Sequence, residues 1–172
     1  MAVQALNRRA LHSLLPLPLS LLLACAPGAA SAQAQDKQPS TFGPVIGGAL
    51  LCRDQIDNKY FHAWLTAHFG APYKHEGGAW WFRTGEATLW GAPVTEVMVS
   101  DDSSETSFLA AVAEVPPDQL EQSIRSAAGV RYPPADASPY PLRISAPGST
   151  IAYYNDKSKI YCAKFKPLPP RH

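Results

Sequence analysis

Between residues 53 and 69 the apolar positions recur at helical spacing. Ile56, Tyr60, Trp64 and His68 follow one another four apart, flanked by Phe61, Leu65 and Phe69. A wide apolar face of that period predicts a core-packing helix over Arg53–Phe69. Asp54 and Asp57 would lie in its first turn, where the macrodipole favours negative charge, and Gly70 and Pro72 would stop it. A second helical stripe, Leu120, Ile124, Ala127 and Ala128, predicts a helix over Pro117–Ala128, opened by Pro117-Asp118 and closed by Gly129.

Between and after the helices the period changes to two. Ala79-Trp80-Trp81-Phe82-Arg83 reads as a short aromatic strand, entered through Gly77-Gly78 and left through Thr84-Gly85-Glu86. Thr88-Leu89-Trp90 follows, broken at Gly91-Ala92-Pro93. Val94 to Ser100 alternates, with Val94, Glu96 and Met98 on one side. Ser107 to Val115 is a further strand, rich in alanine and so suited to close packing against a helix. Tyr132 to Pro141 holds four prolines in ten residues and reads as a loop. Leu142–Ser145, Thr150–Asn155 and Lys159–Phe165 complete the strands, the last two as a hairpin, with Ile160 and Cys162 on one face. Helix, strands, helix, strands with short connections predicts the α+β class. The expected architecture is an antiparallel β-sheet of about five to seven strands with two helices packed on one face.

The first 32 residues stand apart. Arg8 and Arg9 precede an apolar run, Leu14 to Ala26, which Pro27-Gly28 breaks before the small residues Ala30-Ser31-Ala32. That is the layout of a secretory signal peptide, cleaved after residue 32. Residues 33–44 are polar and without periodicity, and read as a disordered leader. The single domain is expected over residues 45–166, followed by a Pro-rich tail over 167–172. Leu22-Leu23-Ala24-Cys25 resembles a lipobox, the motif of bacterial lipoproteins, with Leu23 where that motif carries a smaller residue. The resemblance implies a lipid anchor at Cys25 as the alternative to soluble periplasmic or secreted protein. No later stretch approaches the roughly 20 apolar residues of a membrane span.

Removing the first 32 residues takes away two of the 15 Lys+Arg and none of the 14 Asp+Glu, leaving a net charge of −1. Such a balance carries no electrostatic footprint for nucleic acid. Export to an oxidising compartment makes Cys52 and Cys162 a disulfide pair closing about 110 residues.

Candidate chemistry is sparse. No G-x-S-x-G, S-x-x-K, H-E-x-x-H or nucleotide-cradling glycine pattern occurs. His62 and His68 lie about 240° apart around a helix and do not converge on a metal. The turn Asp101-Asp102-Ser103-Ser104-Glu105 lacks the spacing of a calcium loop and reads as solvated. Neither a cofactor nor a metal is expected. Glu96, with Glu76, is the carboxylate candidate for an envelope hydrolase acting on glycan or peptide; for Glu96 that role needs burial on the core side. Trp80-Trp81-Phe82 is the most unusual run. Adjacent strand residues point to opposite faces, so a sheet with one covered face presents either Trp81 or the Trp80 set to solvent. The alternative is a second face covered by the proline loop or the tail.

Aromatic anchors with a polar rim are what tight protein interfaces use. The expectation is therefore a small non-enzymatic envelope protein acting on a protein partner, as an inhibitor, immunity protein or assembly factor. Trp80, Trp81 and Trp90 would anchor it and Asp101 and Asp102 would form the rim. A hydrolase or a small-ligand carrier is the alternative.

Overall fold

A computed structural model describes residues 38–166. The signal segment, the lipobox at Cys25, the start of the leader and the Pro-rich tail lie outside those residues.

Order begins earlier than the polar composition of 33–44 suggests. Gln38 Oε1 accepts from the Thr88 backbone N–H at 2.6 Å, tying the incoming chain to the sheet. Phe42 is fully buried, packed against Trp64 and Phe69. A π-helical turn, Gly43–Gly47, runs into the short helix α1, Gly48–Leu50. Gly47 is needed there, because a Cβ would sit 3.3 Å from Leu89 and 3.4 Å from the Trp90 ring. The folded unit thus starts by Thr41 rather than at Val45.

Cys52 has a left-handed backbone, φ 57°, which ends the helical segment and turns the chain away. The next helix consequently starts late. Residues 53–57 span the gap and Asp57 caps α2, Asn58–Phe69, accepting from Tyr60 N–H at 3.0 Å. The expected start at Arg53 is corrected by five residues, and the buried stripe rotates with it. Phe61 and Leu65 face the core, while Tyr60 and His68 are exposed. Helix α3, Pro117–Ala128, keeps its expected limits, with Leu120 and Ile124 buried and Gly129 in the left-handed conformation at its end.

Seven antiparallel strands form one sheet: β1 (Lys74–Glu76), β2 (Ala79–Leu89), β3 (Ala92–Ser100), β4 (Thr106–Ala113), β5 (Arg143–Ile144), β6 (Thr150–Tyr154) and β7 (Lys157–Phe165). Their order is β1-β2-β3-β4-β7-β6-β5. The α+β class, the antiparallel sheet and the bridge between Cys52 and Cys162, with Cα atoms 5.3 Å apart, stand as the sequence predicts.

Two irregularities set which side chains face where. The expected break at Thr84-Gly85-Glu86 is a bulge inside one continuous strand β2, between Arg83 and Ala87, with Gly85 at φ 60°. A second irregularity between Val94 and Glu96 shifts β3 by one phase. Val94 joins the main core, while Glu96 and Met98 face the opposite side. The expected sharing of one face by Val94, Glu96 and Met98 is therefore corrected.

All three helices lie on one side, over Phe82, Val97, Val99, Leu109, Ala111, Ile160 and Cys162. The proline loop also belongs to that side. Tyr132 is buried in the main core, its hydroxyl 2.9 Å from Ser149 Oγ, and Tyr140 packs edge-on to Tyr153. The opposite face of the sheet is left to a small second cluster of Met98, Ala110 and Val112, with Trp81, Phe108 and Tyr161 half-buried around it.

Candidate functional site: the open face of the sheet

The strand register builds this face in rows. Lys74, Trp81, Met98, Ala110 and Tyr161 are consecutive cross-strand partners on β1, β2, β3, β4 and β7. The adjoining row is Arg83, Glu96, Val112 and Lys159. Side chains directly opposite one another in neighbouring strands touch, so each row is a continuous stripe.

The first row is apolar and hollow. Ala79, Ala110 and Ala163 are too small to fill the space between Trp81, Phe108 and Tyr161. They leave an open groove of about 340 Å³. Two ammonium groups stand over its largest wall: Lys74 Nζ lies 4.6 Å and Lys159 Nζ 5.4 Å from the Trp81 ring centre. Lys159 Nζ is also 4.5 Å from the Tyr154 ring. Such contacts draw the cation toward the negative face of the aromatic ring. Lys74 is further paired with Glu76 at 2.5 Å, which raises its pKa. Lys159 is lowered instead, first by burial and then by the neighbouring Lys74 charge, against an opposing pull from Glu96.

The second row and the strand ends beyond it are polar. Tyr73 donates its hydroxyl to Glu96 Oε1 at 2.6 Å, and Arg83 lies over the Tyr73 ring at 4.6 Å. Burial, then the bond to Glu96, pushes the Tyr73 phenol up to about 12. Glu114 accepts from Thr95 Oγ1 at 2.7 Å and pairs with Lys157 at 2.6 Å. That pairing lowers Glu114 and raises Lys157. The face thus has an apolar half and a hydrogen-bonded, charged half, with Lys159 at the border.

Of the residues singled out from the sequence, Trp80, Asp101 and Asp102 line one shallow depression, while Trp81 and Trp90 stand elsewhere. Trp81 stands on the open face. Trp80 points to the helical side, half-buried, stacked on His75 with ring centres 3.6 Å apart and edge-on to His62 at 5.5 Å. Trp90 occupies the tight turn between β2 and β3 at φ 52° and packs over Gly47, beside α3. Asp101 and Asp102 line a shallow depression of about 250 Å³ with His62 and Trp80, on the helical side. The Asp101 oxygens accept from Ser103 N–H at 2.8 Å, Ser103 Oγ at 2.6 Å and Ser104 N–H at 3.2 Å, and lie 2.5 Å from His75 Nε2. These bonds, the Ser103 hydroxyl first, hold the carboxyl down at about 2. Asp101 therefore staples its own turn to β1, while Asp102 is exposed, its backbone carbonyl accepting from Lys166 Nζ at 3.1 Å. Glu96 is half-buried on the open face rather than in the helix-covered core. His68 stacks on Trp64 with its Nδ1 2.8 Å from the Trp64 carbonyl oxygen. Among the described residues no three His, Cys, Asp or Glu side chains converge as a metal site.

Compared with family models, curated proteins and solved structures, the chain matches none.

Lys74, Phe108, Lys159 and Tyr161 were not among the residues expected at the site. The signal was present for two of them. With Ile160 and Cys162 on one face of β7, alternation puts Lys159 and Tyr161 on the other.

Proposed function

We propose that this protein is a non-enzymatic binding protein of the cell envelope that engages a protein partner through the open face of its sheet. The observation that carries the reading is the row Trp81, Met98, Ala110 and Tyr161, which no described helix or loop covers. A sheet face with a half-buried aromatic cluster flanked by charged side chains has the anatomy of an interface core and rim. The hydrolase alternative loses its main support. Glu96 accepts the Tyr73 hydroxyl, and Glu76 is exposed and paired with Lys74. The groove over Trp81 is open rather than a closed apolar cavity, which gives the carrier reading no support from it.

The test is capture from envelope extract with wild type, Trp81→Ala and Tyr140→Ala. Tyr140 is exposed but lies with the loop on the helical side. A stoichiometric partner held by wild type and Tyr140→Ala, and lost by Trp81→Ala, supports the reading. A partner held equally by all three overturns it.

A further inference from the structure

We infer that the groove receives an extended acidic segment of the partner, with bulky apolar side chains on alternate residues and a carboxylate set between Lys159 and Lys74 over Trp81. The inference rests on the reading of the open face as a binding surface and names what that surface recognises.

Three observations lead to it. The first is charge. Lys159 has no carboxylate within ion-pair distance among the described residues, whereas Lys74, Lys157 and Arg143 each have one. Glu96, the anion nearest in influence, already takes the Tyr73 hydroxyl. Lys159 is thus a half-buried cation beside a second ammonium on the same indole. Burial and that neighbour both disfavour its charge, and an incoming carboxylate would supply the opposite charge that compensates them.

The second is shape. The groove is hollow because Ala79, Ala110 and Ala163 leave space between Trp81, Phe108 and Tyr161; Lys159 also lines it, as does Glu76, whose carboxylate is taken by Lys74. A depression of this size, open along the sheet face, takes one or two large apolar side chains. It does not enclose a small molecule, which needs most of its surface covered. Side chains on alternate residues of an extended segment project to the same side about 7 Å apart, so a carboxylate and a bulky apolar side chain two positions away can reach Lys159 and the groove from one segment.

The third is what already occupies the indole. Two ammonium groups stand over Trp81, where a sugar ring would have to stack. That favours an anion over a neutral glycan.

The test uses acetylated, amidated pentapeptides of sequence Phe-Ser-Glu-Ser-Phe, the same with Gln or Lys in place of Glu, and Ser-Ser-Glu-Ser-Ser. Affinity is read by NMR on the folded protein, following the indole N–H of Trp81. The Glu peptide should bind about tenfold tighter than the Gln peptide, an advantage that shrinks with added salt. The Lys peptide and the peptide without Phe should bind more weakly still. Lys159→Gln should abolish the Glu-over-Gln preference, and Lys159→Glu should transfer it to the Lys peptide. Circular dichroism of both variants confirms that the fold is kept.

Equal affinity for the Glu and Gln peptides, a preference untouched by Lys159→Gln, or no perturbation of Trp81 by any peptide would overturn the inference. Suppose a partner is captured through Trp81 yet held equally by wild type, Lys159→Gln and Lys159→Glu. The acidic segment is then wrong while the binding face stands. Capture indifferent to Trp81 removes both. A dimer in sedimentation that Trp81→Ala disperses would put a second copy of this chain in the groove, and overturns the inference as well.

Discussion

Replacing both Cys52 and Cys162 by alanine tests how much of the fold is held by a single covalent link. The bridge joins residues 110 apart in sequence, from the end of the first helical segment to β7, the last strand in chain order and fifth of seven across the sheet. In the chain-entropy account, closing a loop of that length restricts the unfolded chain by about 5 kcal/mol at 25 °C. Both cysteines are buried, Cys162 fully, so deleting their sulfur atoms adds roughly 1 kcal/mol of lost packing. A domain of this size has a net stability on the order of 5–15 kcal/mol, so the double variant sits near or below the edge of folding. With an unfolding entropy of about 2.1 cal/mol/K per residue over the described span, 5 kcal/mol corresponds to a fall in Tm of roughly 18 °C. Urea unfolding followed by circular dichroism gives the loss directly. It carries a second readout. The cross-linked unfolded chain is more compact, so the dependence on urea should steepen in the variant. A double variant that stays folded with a loss below about 1 kcal/mol and an unchanged urea dependence would refute the argument.

Two further outcomes follow from single side chains. Phe42→Ala should cost roughly 3–5 kcal/mol, as for any fully buried phenylalanine, measurable by the same urea titration. A loss under 1 kcal/mol would mean that the domain does not begin before Val45. Tyr73 holds its proton more tightly folded than unfolded, with a pKa raised from 10.0 to about 12. Its contribution to stability is whole below pH 10 and drains away as the pH rises to about 12. Ultraviolet titration should show a phenol ionising near 12 that Tyr73→Phe removes; a Tyr73 ionising near 10 would contradict the bond to Glu96.

Much of the architecture is legible in the chain because it rests on period. The stripes of α3, the alternation of β7 and the opposite aims of Trp80 and Trp81 all follow from spacing alone. What spacing misses is a change of phase. One extra residue near Thr95 turns Val94 inward and Glu96 outward, and nothing in the composition of Val94–Ser100 announces it. The start of α2 fails for a related reason. Asp54 and Asp57 are both acceptable near a helix start, and the choice is made by the backbone at Cys52, itself held to a strand 110 residues away. The site is half legible. Trp81 was in view, but both faces of β2 carry aromatic residues, so alternation could not say which face the helices take. Lys74 meets Trp81 only through the hairpin register that Gly77 and Gly78 impose, each at positive φ.

The same bridge has a consequence for a chain that is cut. Residues 133–140 form an exposed, proline-rich loop, the most open stretch of backbone between α3 and β5. A protease that nicks it cuts the polypeptide into a piece bearing Cys52 and a piece bearing Cys162. Those pieces are also neighbours in the sheet, where β4 from the first pairs with β7 from the second along its whole length. The clipped molecule is still one covalent particle, and its pieces can part only when the bridge is reduced and the β4–β7 pairing is broken. The loop is thus a place where the backbone can be cut while the bridge keeps the two pieces joined.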